Sequence, residues 1–266
     1  MSAILSVQHV SMKFGGLTAI ADLHFDVTPG EILSLIGPNG AGKTTAFNII
    51  TGFLRPTTGR VMFDGEDLAQ TRPNEISRLG LARTFQRTSV FADDTVLDNV
   101  LIGLHRYAAH GLLHRLLPTP TARRQEAAVR KRAKDILDLV GLSERMNDKA
   151  GSLSYGEQRL VGVALALATE PKMLLLDEPV SGMNASETQD FVQLLRKVRR
   201  EAGVTILLVE HDMPMVMEIS DRIVCLNYGR LIAEGTPDEI RNNPDVIEAY
   251  LGKSANRLER KEGAHA

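Results

Sequence analysis

The apolar positions after Gly151 follow two alternating patterns. Residues 173–176 and 204–209 are apolar runs, interrupted only at Thr205, whereas residues 154–169 and 186–202 carry apolar positions at helical spacing. Strands that are apolar throughout and alternate with helices are typical of a parallel sheet that is covered on both faces. This part of the chain therefore predicts an α/β fold with a mainly parallel core sheet.

The first part of the chain has a different pattern. Three strand-like runs are separated by turn residues: residues 4–10, 19–27 and 60–63, the last of which predicts a hairpin. One apolar strand, residues 32–36, is followed by a glycine-rich loop and a helix that is expected to end near Gly52. We therefore expect an N-terminal antiparallel β subdomain that contains one strand–loop–helix unit.

Helices dominate the predictions for the middle of the chain. Thr95 and Asp98 form a capping-box pattern, which predicts a helix through about Tyr107. Residues 110–121, with two prolines, are the best linker candidate, and residues 122–140 predict a long helix. Its run of Arg and Lys residues favours a solvated face over contact with lipid head groups or an acidic partner.

Shorter elements complete the prediction. They are a helix at residues 74–79, a strand at 81–85, a hairpin of 222–226 with 230–233, and helices at 237–242 and 244–251. The polar residues 253–266 are expected to be disordered.

Composition places the chain among soluble globular proteins. It has 266 residues, 43% hydrophobic and 24% charged, and a formal net charge of −2, which gives no reason to expect nucleic acid as a partner. Cys225 is the single cysteine, so an internal disulfide is excluded. No secretion signal and no apolar run of about 18 residues is present in the sequence. We therefore expect a cytoplasmic protein that can sit against a membrane through a partner.

The glycine-rich loop carries the first chemical signal. It consists of Gly37, Pro38, Asn39, Gly40, Ala41, Gly42, Lys43, Thr44 and Thr45, and it has the spacing of a phosphate-binding loop between a strand and a helix. Its backbone N–H groups and the helix N-terminus attract phosphate oxygens. Lys43 can reach the β- and γ-phosphates, and the Thr44 hydroxyl can hold Mg²⁺.

Two acidic residues carry the second signal. Asp177 and Glu178 follow the apolar strand 173–176, and ligands of parallel sheets gather at the carboxyl ends of strands. Asp177 is therefore a candidate magnesium ligand, and Glu178 is a candidate base for an attacking water. The alternative is that the pair merely caps the next helix, but an upstream phosphate loop favours an ATPase.

A capped helix carries the third signal. In the run Ser154, Tyr155, Gly156, Glu157, the first and last residues form a capping-box pattern, which exposes a helix N-terminus with glycine in its first turn. Such a turn is a second anion-binding surface in the same chain. Taken alone, it could be an ordinary capped helix.

These motifs occur in the order of the ATP-binding cassette, the nucleotide-binding subunit of ABC transporters, and the chain up to about Gly252 resembles that family. The resemblance implies a P-loop ATPase fold with a helical signature subdomain at about residues 87–160 inside one domain, residues 1–252. It also implies roles for the motif residues. Phe14 stacks on adenine, residues 37–45 form the Walker A loop, Gln86 contacts magnesium and the membrane subunit, Ser154 and Gly156 belong to the signature loop, Asp177 and Glu178 are the Walker B aspartate and catalytic base, and His211 is the switch histidine.

The sequence departs from the common family pattern at the signature and at the D-loop. Tyr155 and Glu157 stand where glycine and glutamine are usual, and Asn184 stands where aspartate is usual. These variants, the opening at Phe14 and the ending at residues 249–252 resemble the branched-chain amino acid importer subfamily, most closely the longer of its two ATPase subunits.

The resemblance implies a set of partners. They are transmembrane permease subunits, a second ATPase subunit that completes the composite site, and indirectly a substrate-binding protein, which places the chain on the inner face of the membrane. Residues 86–99 are expected to receive the membrane subunit through Val90, Phe91, Val96 and Leu97, although internal packing explains these residues equally well.

Two alternatives stay open. Another cargo, such as urea, a short amide or an exported lipid, is compatible with this sequence because cargo is chosen by other subunits. A soluble ABC-type ATPase that acts on ribosomes or DNA usually has two cassettes, a long coiled coil or zinc cysteines, and the sequence contains none of these features.

Overall fold

A computed structural model describes residues 2–84, 90–104 and 120–250, and the side chains of this set except those of residues 120–122. The described chain divides into two compact units. The first unit contains the residues up to Leu79 together with those from Thr205 onward, and the second unit runs from Gly80 to Val204.

The first unit begins with an antiparallel sheet. Its strands are β1 (Leu5–Phe14), β2 (Leu17–Val27), β4 (Thr58–Phe63) and β5 (Glu66–Asp67), in the order β2-β1-β4-β5. Alternating positions of β1 and β2 are buried, as expected for strands with one face on a core. The predicted antiparallel subdomain is therefore present, and β1 extends beyond its expected end because Phe14 still pairs with Leu17 across the hairpin.

The same unit contains parallel strands. β3 (Ile32–Ile36) pairs in parallel with β8 (Thr205–Val209) and with β9 (Arg222–Asn227), and β10 (Arg230–Gly235) pairs with β9 in the antiparallel sense. All residues of β3 and β8 are buried, including the polar Ser34 and Thr205, as expected for strands covered on both faces.

Several helices accompany these strands in the described part of the first unit. They are α1 (Lys43–Ile50), α2 (Pro73–Leu79) and α7 (Met213–Ile219), followed by a short α8 (Pro237–Arg241) and a helical stretch at residues 244–250. Helix α7 was not predicted from the sequence, and it is only seven residues long. The signal that could have found it is Asp212, whose side chain accepts a hydrogen bond from Met215 N, with proline in the first turn.

The second unit combines two parallel strands with helices. β6 (Leu81–Arg83) pairs with β7 (Met173–Asp177), and the helices are α3 (Val96–Gly103), α4 (Pro120–Leu139), α5 (Tyr155–Leu167) and α6 (Ala185–Ala202). Two single 3₁₀ turns, Ser143–Arg145 and Ala150–Ser152, lead into α5.

Helix boundaries in this unit depart from the expectations in two places. α3 is capped by Thr95 as predicted, but it ends at Gly103 and not near residue 107. Gly103 packs tightly on the unit, since a Cβ there would lie 2.7 Å from Ala168 Cβ. α4 begins at Pro120, inside the range expected to be a linker, because proline is well suited to a first helical turn. The remainder of that linker lies outside the described residues.

Helix α4 carries a run of basic residues. Its six basic residues between positions 123 and 134 are all exposed, and Lys131 pairs with Asp135 at 3.0 Å. Ala133 and Leu137 of the same helix are buried. None of the helices within the described ranges is both long enough and apolar enough to cross a membrane.

Candidate nucleotide site

The phosphate loop in the first unit depends on two glycines. Gly37 follows β3 with φ +147°, and a Cβ there would lie 2.2 Å from the backbone oxygen of Leu226. Gly42 precedes α1 with φ +105°, and a Cβ there would lie 2.6 Å from Ile20 Cδ1. Both positions combine a left-handed backbone with a close neighbour, so only glycine fits them.

The β9–β10 hairpin supports the loop from the side. Gly229 in the turn donates its N–H to Ala41 O at 2.9 Å, and Ala21 N donates to Gly229 O at 2.8 Å. Within the loop, Ala41 N donates to Pro38 O at 3.0 Å. The loop is therefore tied to β2 and to the hairpin by backbone hydrogen bonds.

Lys43 is the buried cation of the loop. Its Nζ donates to Gly37 O at 2.6 Å and to Pro38 O at 3.2 Å, which holds the ammonium against the loop. Asn39, Gly40 and Thr44 are exposed. A positive charge surrounded by accessible loop residues and a helix N-terminus suits a polyphosphate ligand.

His211 lies at the same sheet edge as the phosphate loop. β3 and β8 are parallel with Leu35 opposite Val209, so the residues that follow both strands emerge on one side. Glu210 is fully buried and accepts backbone N–H groups from His211 at 2.9 Å and from Asp212 at 3.4 Å. These bonds fix the backbone while the His211 side chain stays exposed.

Phe14 is the last residue of β1 and its side chain is 46% exposed. Leu17, its pairing partner at the start of β2, is also exposed. An exposed aromatic ring at a hairpin end is available for stacking on a base.

The acidic pair lies in the second unit, at the carboxyl end of β7. Asp177 is buried, and its Oδ2 accepts a hydrogen bond from Arg83 Nη2 of the neighbouring strand β6 at 2.7 Å. Glu178 is half-buried and has φ +47°, a left-handed backbone that is rare for this residue type. Strained backbone of this kind is concentrated at functional sites.

The signature run begins α5. Ser154 caps the helix, accepting from Glu157 N at 3.3 Å, while Ser154 N donates to Glu157 Oε2 at 2.9 Å. Tyr155 is exposed and Arg159 lies over its ring at 5.0 Å. A Cβ on Gly156 would meet nothing nearer than 3.5 Å. The predicted capping box is therefore present and its first turn is open.

The two departures from the family pattern have structural roles. Glu157 closes the capping box of α5 and also pairs with Arg145 at 3.4 Å. Asn184 caps α6 in a second capping box, accepting from Glu187 N at 3.0 Å. Both residues therefore fix a helix start.

The structure describes the positions of all the candidate residues except one. The phosphate loop, Phe14 and His211 lie in the first unit, and Asp177, Glu178 and residues 154–157 lie in the second. Gln86 lies outside the described residues. Arg83 and Glu210 were missed by sequence reasoning, because each gains its role from a contact that no local pattern reveals.

Comparison with known proteins decides the family. The model of the family described as "ABC transporter" matches residues 20–181, which is more than half of the chain. The chain belongs to the ABC transporter family. A second model, described as "Branched-chain amino acid ATP-binding cassette transporter", matches residues 230–256 of this ABC cassette.

Curated relatives of this ABC cassette match it over nearly their whole length. The high-affinity branched-chain amino acid transport ATP-binding protein LivG of Escherichia coli is 45% identical over 251 residues, which is 94% of this chain and 98% of the relative. The protein BraF of Pseudomonas aeruginosa, named in the same way, has the same identity and coverage. Both are more similar than the probable LivG of Archaeoglobus fulgidus, which is 37% identical over 262 residues.

Solved structures confirm the fold. The ADP conformation of MJ1267, an ATP-binding cassette of an ABC transporter, has a TM-score of 0.82 at 33% identity and covers 95% of this chain and 100% of that one. The dimeric post-hydrolysis state of the cassette MJ0796, bound to ADP and Pi, has a TM-score of 0.72 at 27% identity and covers 88% and 98%. The predicted family and α/β cassette fold are thus confirmed, and the chain is an ABC-type ATPase subunit.

Proposed function

We propose that this chain binds and hydrolyses ATP to energise an importer of branched-chain or other hydrophobic amino acids. The observation that carries the proposal is the full-length similarity to LivG and BraF, at 45% identity over 94% of the chain. The match of residues 230–256 to the branched-chain cassette model supports the same cargo class independently of the shared ATPase core.

ATP would bind along residues 37–45, with Phe14 stacking on the adenine. Lys43 supports this assignment because it is the buried cation of the loop and already bonds loop carbonyls. The accessible Thr44 hydroxyl and the Asp177 carboxylate are hard oxygen donors of the kind that Mg²⁺ prefers. These residues and Gln86 would hold the ion, which supplies positive charge to the phosphates when bound.

Glu178 would accept the proton of the attacking water. Its strained backbone at the end of β7 supports a functional position, since strain costs stability wherever it is kept. His211 would contact the γ-phosphate and hold the geometry of attack, and the two backbone hydrogen bonds to buried Glu210 support this by fixing the chain at His211. Lys43 would stabilise charge on the transferring group.

The signature run would act on the ATP of a second subunit. Ser154 and Gly156 support this role because they stand in the open first turn of α5, where backbone N–H groups point outward. The chain would therefore pair with a second ABC subunit, either another copy or a related chain. A monomer would bind ATP and hydrolyse it poorly.

The partners outside the cassette would be transmembrane permease subunits, with a substrate-binding protein acting through them. This chain would lie on the inner face of the cell membrane, bound to those permeases. Val96 and Leu97 are buried, which favours internal packing over docking for these two residues. Phe91 is 50% exposed and Val90 is partly exposed, which leaves these two for docking.

The deciding experiment is affinity purification of the full chain from detergent-solubilised membranes, with the copurifying proteins identified. We expect amino-acid permease subunits among them. Vesicles reconstituted with these permeases and with this chain on the inside should take up leucine when ATP is also inside the vesicles. Recovery of urea or lipid transport subunits would show that the cargo is not an amino acid. Copurification with ribosomes or DNA in place of membranes would contradict the importer.

A further inference from the structure

Three metal-ligating side chains meet on the outer face of the N-terminal sheet. They are His9 on β1 and Asp22 and His24 on β2, all exposed, and their ligand atoms lie within 4.8 Å of one another. This cluster is separate in sequence from every residue assigned above to ATP binding or hydrolysis.

The backbone brings these side chains together through two irregularities of the β1–β2 ladder. The first register shift leaves two residues of β1, Gln8 and His9, opposite His24, and the second leaves an extra residue of β2 at Asp22. His9 has φ +50° and Asp22 has φ +57°, so both bulged residues are left-handed. A bulge changes the direction of a side chain, and here the bulge on each strand brings one candidate metal ligand, His9 or Asp22, to the same place.

The hydrogen bonds of the cluster prepare the histidines for a cation. His24 Nδ1 donates to the backbone oxygen of Asp22 at 3.0 Å, and because a carbonyl can only accept, Nδ1 carries the proton and Nε2 keeps a lone pair. Metal-bound histidines commonly donate their second ring nitrogen to a carbonyl in this way. His9 Nδ1 lies 2.8 Å from Asp22 Oδ1, and the two histidine rings are 5.3 Å apart.

We propose that His9, Asp22 and His24 form a binding site for a divalent cation of the zinc class. Two imidazoles and one carboxylate are the donor set of three-ligand zinc sites, and they disfavour Mg²⁺ and Ca²⁺, which prefer oxygen alone. Bonds of about 2.0–2.2 Å place tetrahedral ligands about 3.3 Å apart, a spacing that small side-chain rotations reach from the present cluster. The fourth position faces solvent.

The cation would bridge β1 to β2 a few residues before Phe14, the last residue of β1. Because the ligands come from both strands, the bound ion would stabilise their pairing at the place where two bulges interrupt the ladder. Binding would therefore raise the melting temperature of the full chain, by linkage between metal binding and folding.

The test is titration of the untagged, chelator-treated full chain with ZnCl₂, without nucleotide, by isothermal calorimetry. We expect one site per chain with a micromolar Kd. His9→Asn and Asp22→Asn suit the left-handed backbone because asparagine tolerates it, and His24→Gln completes the set. Each single variant should bind zinc at least about tenfold more weakly, because it removes one of three direct ligands and even the loss of an outer-shell partner costs about tenfold. The triple variant should lose the site.

The matched control is the variant with His105→Gln and His110→Gln, two histidines outside the described residues. It should keep the site and its Kd. The second measurement is the melting temperature with and without ZnCl₂, which should rise in the wild type and the control but not in the triple variant. Zinc binding that survives in the triple variant, or that is lost in the control, would overturn the assignment, as would an absence of binding by the wild type.

Discussion

Gly37, Lys43 and Cys225 meet at the base of the phosphate loop and show how single residues determine this site. Gly37 lies against the backbone oxygen of Leu226, the residue after Cys225, and Cys225 pairs with Ile36 in the sheet. Lys43 bonds the Gly37 carbonyl from the other side. A single substitution at the base of the phosphate loop therefore affects both nucleotide binding and core packing.

Gly37→Ala should abolish ATP binding. The added Cβ would come within 2.2 Å of Leu226 O, and the backbone at φ +147° is one that alanine rarely adopts, so the loop must move. Fluorescent ATP titration measures the loss. Gly16→Ala is the matched control, since its Cβ meets nothing within 4 Å, and it should change stability by less than about 0.5 kcal/mol. Normal ATP affinity in Gly37→Ala would contradict the role of the close contact.

Arg83→Met should destabilise the chain by about 3 kcal/mol, because it leaves the buried Asp177 carboxylate without its ion-pair partner. Urea denaturation measures the free energy of unfolding. The double variant with Asp177→Asn should recover part of the loss, because no unpaired charge is then buried. Equal losses in the single and double variants would show that the lost packing of Arg83, and not charge pairing, determines its contribution.

The Cys225 thiol should be inert in the folded chain. Burial raises its pKa from 9.0 to about 12, an effect that the nearby Lys43 charge only partly offsets. The thiol should therefore react with DTNB at pH 8 only when the chain is unfolded in urea. Fast reaction in the folded state would contradict its burial.

The same shift has a consequence for stability. The unfolded chain loses the thiol proton at a lower pH than the folded chain, so this contribution to stability is complete below pH 9 and is lost as the pH rises towards about 12. Cys225→Ala should show a shallower decline of stability above pH 9.

At the scale of elements, capping boxes fix the starts of three helices in the described structure. Ser154 with Glu157, Asn184 with Glu187 and Thr236 with Glu239 all form complete capping boxes. The first of these was predicted from sequence because a capping box is local, spanning only four residues.

Asn184→Ala should lower stability by about 1 kcal/mol, because the first turn of α6 loses its side-chain acceptor. Asn184→Asp, which restores the residue usual in the family, should leave stability unchanged or raise it slightly, since aspartate caps equally well and its charge favours a helix N-terminus. Thermal melting of the two variants side by side measures the difference. A large loss in Asn184→Asp would mean that Asn184 has a further partner.

Local patterns therefore predicted the strands, the loop and most helices, whereas distant contacts could not be predicted. Arg83 and Asp177 are 94 positions apart, and their pairing arises only when β6 and β7 become neighbours. In the sequence, Glu210 looks like any acidic residue that follows a strand. Its role is visible only in the folded chain, where the backbone N–H groups of His211 and Asp212 donate to its carboxylate. α7 was missed because seven residues give too little periodicity to recognise.

At the scale of the whole molecule, the motif residues are shared between two units of one chain. The phosphate loop belongs to the first, and the signature turn and acidic pair belong to the second. The open turn at Gly156 is available to a second molecule, so the proposed function depends on assembly as well as on the chain itself.

Glu178→Gln should bind ATP, lose most turnover and accumulate as a dimer, because the closed pair can no longer reset by hydrolysis. Light scattering after size exclusion measures the mass with and without ATP. Adding Gly156→Asp should keep the protein monomeric, since its carboxylate would repel the γ-phosphate of the partner. Adding Gly16→Ala to Glu178→Gln instead should leave the ATP-dependent dimer intact. Unchanged hydrolysis in Glu178→Gln would remove this residue from the role of base.

The Gly229–Ala41 hydrogen bond makes a distant amide a reporter of the phosphate loop. Gly229 N–H is protected by a carbonyl that belongs to the loop, although the two residues are far apart in sequence. Its hydrogen–deuterium exchange therefore follows the opening of the loop. Nucleotide occupancy can be followed at that single amide in the C-terminal hairpin, with no label or substitution in the site itself.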